Sequence, residues 1–80
     1  MSDARTRLTQ VISQVLGVEP ASISDASSPA TIPAWDSVNH LNLVMALESE
    51  FGLSLSPEDA LAMNDVRAMQ EILRHRGAKV

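Results

Sequence analysis

Three side chains able to move protons or form esters fall within five consecutive positions, Asp36, Ser37 and His40. An acid, a hydroxyl and an imidazole are the parts of a nucleophilic triad, in which the base bonds the nucleophile on one side and an orienting carboxylate on the other. A single helical turn does not offer that geometry. The Gly-x-Ser-x-Gly elbow that presents a hydrolase serine is also missing, and 80 residues leave little room for an oxyanion hole beside a core. Metal chemistry is equally unsupported, since His40 and His75 are far apart and there is no cysteine. Ser37 is then either simply the first residue of a helix or a hydroxyl placed to carry an attached group. At a helix entrance, free backbone N–H groups and the helix dipole favour an anion such as a phosphoester by about 0.3–1 kcal/mol at a surface site.

The helix that places Ser37 there runs from about Ser37 to Phe51, with Asp36 as N-cap and Gly52 as terminator. Val38, Leu41, Val44, Met45, Leu47 and Phe51 form a broad apolar stripe along it. Before it, Leu8, Val11, Ile12, Val15 and Leu16 recur at helical spacing, with Ser2 able to cap the start and Gly17 the end. Residues 17–36 carry Pro20, Pro29, Pro33 and four serines and follow neither hydrophobic period, so they form a long loop. A loop of that length in a small domain must be pinned to the core, which is the task of Val18, Ile23, Ile32 and Trp35. Ser56-Pro57-Glu58-Asp59 reads as the cap and first turn of a short third helix, roughly 57–61. Asn64 or Asp65 caps a last helix with Val66, Met69, Ile72 and Leu73 inward and Gly77 at its end. Met45, Met63 and Met69 read as core filler. The expected fold is all-α: a small four-helix bundle forming one domain over residues 1–80, with a long first loop and a short third helix.

Composition narrows the partners. A hydrophobic share of 45% and a mean hydropathy of +0.03 are ordinary for a globular chain, and no apolar stretch approaches the ~20 residues of a membrane span. The first residues lack a basic leader followed by an apolar core, so no secretory signal is expected and the cytoplasm is the default location. A net charge of −4 and a pI near 4.9 argue against nucleic acid, whose binding relies on Lys and Arg. Residues 8–66 hold eight of the ten acids, all but Asp3 and Glu71, and no Lys or Arg. Partners with basic surfaces follow from this acidic middle.

Asp36-Ser37-Val38 followed by Leu43-Val44-Met45-Ala46-Leu47-Glu48 resembles the acyl carrier protein family, and Phe51-Gly52-Leu53 and Asn64-Asp65-Val66 extend the resemblance over most of the chain. It implies a non-catalytic carrier. Ser37 would be esterified by 4′-phosphopantetheine, whose terminal thiol carries acyl groups as thioesters, and Asp36 would help organise the metal used during transfer. The implied partners are a phosphopantetheinyl transferase, an acyl-loading ligase or transferase, and downstream enzymes of lipid, polyketide or other specialised biosynthesis, met by a monomeric carrier. Docking is expected on the second helix, through Val38, Val44 and Met45 with Glu48 as a peripheral charge.

The departures from the family pattern shape that expectation. Val38 stands where leucine is usual, and Asn39 and Asn42 stand where members serving fatty-acid synthesis commonly carry acids. Electrostatic steering should weaken and apolar contact should carry more of the affinity. A peptidyl carrier is disfavoured, because Trp35-Asp36 precedes the serine without the glycines of that motif. The competing reading is a small helical adaptor that binds a partner helix through the same apolar face and holds no prosthetic group.

Overall fold

The helix dictated by Leu8, Val11, Ile12 and Leu16 is α1, Asp3–Leu16, and those four side chains are buried in the core. In the computed structural model, which describes residues 3–78 and Val80, it ends at Gly17, whose φ of 67° lies in the left-handed region. The N–H groups of Gly17 and Val18 both donate to the carbonyl of Ser13, closing the last turn. The Ser2 cap expected from the sequence lies outside the described residues.

The long loop is pinned as expected, with Ile32 and Trp35 buried and Val18 and Ile23 packed half-buried against the core. One 3₁₀ turn, Pro20–Ser22, interrupts it. Polar contacts hold it as well. Asp25 Oδ1 accepts from Arg5 Nη2 on α1 and from Gln70 Nε2, each at 2.8 Å, and the carbonyls of Asp25 and Ser27 accept from the backbone N–H groups of Arg67 and Val66. The loop thus caps the start of the last helix. The Gln70 amide, and after it the Arg5 guanidinium, hold the Asp25 carboxyl below the usual carboxylate range.

The second helix, α2, spans Ser37–Phe51 between the Asp36 cap and Gly52, whose φ is 64°. Its inward face differs from the expected stripe. Leu43, Val44 and Leu47 are buried with Phe51 half-buried, whereas Val38, Leu41 and Met45 are 69%, 61% and 59% exposed. The cause is local composition: residues 43–47 are apolar all round the helix, so periodicity alone cannot choose the face. Packing against α1, helped by the Arg7–Glu50 ion pair at 2.7 Å, makes that choice. Met63 and Met69 are core filler as expected, but Met45 is not.

Ser56 and Asp59 form a reciprocal capping box at the start of α3, Pro57–Ala62. Asp65, rather than Asn64, caps α4, Val66–His75, by accepting from the N–H of Ala68 at 2.7 Å. Val66, Met69 and Leu73 are buried in α4 and Ile72 partly so, and Arg76 reaches back to Asp59 at 2.8 Å, tying α4 to α3. The fold is all-helical, with four α-helices among the described residues. None of these helices is long and apolar enough to cross a membrane.

Candidate functional site

Ser37 is the first residue of α2, and its placement follows from the cap before it. Asp36 is extended, and its Oδ1 accepts from the N–H of Asn39 at 2.9 Å, while its carbonyl accepts from His40 at 2.8 Å. That cap consumes the third N–H of the helix and leaves those of Ser37 and Val38 with no partner among the described residues. The Ser37 side chain is exposed, and its hydroxyl likewise enters no hydrogen bond among the described residues. An exposed ester-forming oxygen stands at the positive end of a 15-residue helix.

Beside it opens a cleft of about 640 Å³ between the loop, the start of α2 and α3. Pro29, Leu41, Leu61 and Met63 give it an apolar lining, to which Trp35 and His40 also contribute. The Trp35 indole Nε1–H donates to His40 Nδ1 at 3.0 Å, and the two rings lie 17° from parallel with centroids 6.2 Å apart. Because an indole can only donate, His40 Nδ1 is the acceptor; Nε2 therefore carries the proton and donates to the carbonyl of Ala60 at 2.7 Å. Both ring nitrogens are committed. His40 cannot act as a base toward Ser37 while holding these bonds, which agrees with the geometric argument against a triad.

The remaining expected site residues separate. Val38 and Met45 face outward, but Val44, expected on the docking face, is 8% exposed and belongs to the core. It sits next to Met45 on a helix whose inward row passes through position 44 rather than beside it. Glu48 is half-buried, and its Oε2 accepts from the N–H of Leu55 at 2.8 Å, so this carboxylate holds the turn after α2 rather than standing free at a rim. Leu41 and Leu61, the latter 80% exposed, were missed and complete the outward apolar face. The signal for Leu41 was present in its position three after Val38 and four before Met45. Leu61 gave none, since a six-residue helix is too short for a period.

A family model described as a phosphopantetheine attachment site matches residues 6–73, nearly the whole chain. The chain belongs to that family. Members hold 4′-phosphopantetheine covalently and act as carriers rather than as enzymes, and this carrier works with a transferase and with biosynthetic enzymes. The fold is suited to the group: an exposed hydroxyl, uncommitted helix N–H groups for a phosphate, and an apolar cleft alongside.

Proposed function

We propose that Ser37 is the point at which the carrier holds its 4′-phosphopantetheine, and that it presents acyl groups to enzymes of lipid, polyketide or other specialised biosynthesis. The observation that supports this reading is the exposed Ser37 hydroxyl at the head of α2, beside two uncommitted N–H groups and the cleft. When bound, the group supplies a terminal thiol that holds an acyl chain as a thioester.

The chain's own residues do the rest. Asp36 fixes the first turn, so Ser37 is held in one backbone position when a transferase approaches. The N–H groups of Ser37 and Val38, without partners among the described residues, would favour the charge of a phosphate held on Ser37. Val38, Leu41 and Met45 make an apolar surface leading away from Ser37, over which a partner must come to reach it. No cysteine is present to compete for the acyl group. We read residues 1–80 as a single domain that works as a monomer in the cytoplasm, where its biosynthetic partners would be.

Intact mass after incubation with coenzyme A and a phosphopantetheinyl transferase tests the assignment. The wild-type chain should gain the mass of one phosphopantetheine. Ser37→Ala should gain none while keeping its helical circular dichroism, because alanine is well tolerated in a helix. A modified Ser37→Ala chain would refute attachment at Ser37, and an unmodified wild type would return the adaptor reading of the same apolar face.

A further inference from the structure

The cleft beside Ser37 has a largely apolar lining interrupted by one polar cluster. There the indole of Trp35, the imidazole of His40 and the carbonyl of Ala60 form one hydrogen-bonded bridge from the loop through α2 to α3. Trp35 itself is 2% exposed, and next to the bridge stands Met63, fully within the core. The bridge therefore stands where the cleft borders the core.

We propose that this bridge is a specificity device, with His40 as its positioning residue, which keeps acyl cargo in the surface cleft and denies a long alkyl chain burial between the helices. The inference rests on attachment at Ser37. To pass between α2 and α3, an alkyl chain would have to part His40 from Ala60 and from Trp35. That would strand an indole N–H and an imidazole N–H, to which a hydrocarbon offers no partner, and would leave the Ala60 carbonyl only the N–H of Met63 at 3.3 Å. A short group lies over Leu41, Leu61 and Pro29 and disturbs none of these bonds. Leucine at position 40 would keep an apolar filling of similar size but make neither bond. Glutamine could accept from the indole with its carbonyl and donate to Ala60 with its amide.

The experiment loads the full chain through the transferase from butyryl- or dodecanoyl-coenzyme A, which releases adenosine 3′,5′-bisphosphate and leaves the acyl-phosphopantetheine on the chain, confirms the added mass, and records methyl and indole N–H resonances together with Tm. In the wild type, both forms should show the same methyl signals for Leu43, Leu47 and Met63, the same Trp35 indole signal and the same Tm. In His40→Leu, the dodecanoyl form should shift those methyl signals and melt above the butyryl form, whereas His40→Gln should behave as the wild type. Core methyl shifts in the wild-type dodecanoyl form would overturn the proposal even if His40→Leu fails to fold, and so would a folded His40→Leu chain indifferent to acyl length. A wild-type chain that gains no mass, or gains it at another residue, overturns attachment at Ser37 and this inference with it. Correct mass with a buried dodecanoyl chain overturns this inference alone.

Discussion

The side-chain amide of Asn39 donates to the carbonyl of Ala34 at 2.7 Å, joining the first turn of α2 to the end of the long loop. Asn42 Nδ2 in turn donates to Asn39 Oδ1 at 3.2 Å. A carboxylate cannot donate, so the neutral residue at position 39 has a structural reason besides any effect on partner choice. Asn39→Asp loses a bond worth about 0.5–1.5 kcal/mol and sets an anion against a carbonyl, which outweighs the roughly 0.3–1 kcal/mol that an acid gains at a helix start. Urea denaturation should show a lower midpoint with an unchanged slope. A midpoint equal to or above that of the wild type would remove this role from Asn39.

Asp36 joins two functions that substitution can separate. Asp36→Ala should cost about 1 kcal/mol through loss of the cap, while Asp36→Asn should be nearly as stable as the wild type, because asparagine caps about as well. Loading by the transferase should nevertheless slow in Asp36→Asn, as the family resemblance implies for a carboxylate that helps organise the transfer site. Stopped time courses of mass gain at equal protein stability measure this. Equal rates for wild type and Asp36→Asn would confine Asp36 to capping.

The caps at Asp36 and Gly52, the capping box at Ser56 and Asp59, and the anchoring of Trp35 were legible because each depends on residues close in sequence. The inward face of α2 was not, since apolar residues surround that helix and the choice of face belongs to its packing against α1. The Asp25–Gln70 bond spans 45 positions and the His40–Ala60 bond 20, so no local pattern could reveal either. The place of Ser37 at the head of α2 was therefore readable from the chain, whereas the bridge beside it had to be seen in three dimensions.

Acid sensitivity should centre on Asp25 and Asp59. Both carboxyls are held below their usual range, Asp25 by Gln70 and then Arg5, Asp59 by Arg76 and then the Ser56 backbone N–H. The unfolded chain then binds more protons than the folded one across this range, so stability rises with pH there. Their contribution is complete above the ordinary carboxyl value of about 4 and disappears as pH falls through the lower folded values. Urea midpoints measured from about pH 6 downward should drop for the wild type and drop less steeply for Asp25→Asn, which should also start lower near neutrality. A variant with the wild-type slope would show that the Asp25 junction does not contribute to acid unfolding.

Docking should depend on the outward apolar row of α2 and little on the charge at Glu48. Val38, Leu41 and Met45 lie at helical spacing on the exposed side, beginning beside Ser37, so an enzyme that reaches Ser37 must cover them. Val38→Asp places a charge on that surface without touching the core, and should lower the rate of loading or acyl transfer by roughly tenfold or more, as loss of a central apolar contact of ~1.4 kcal/mol or above implies. Glu48→Gln keeps a carbonyl able to accept from Leu55, so fold and transfer should both be nearly unchanged. Val44→Asp differs from both, because it buries a carboxylate beside Leu43 and Leu47 and should unfold the chain rather than impair docking selectively. Circular dichroism and transfer rates for the three variants at low and high salt decide the matter. If raised salt abolished transfer while Val38→Asp left it intact, steering by charge would replace apolar contact as the basis of recognition.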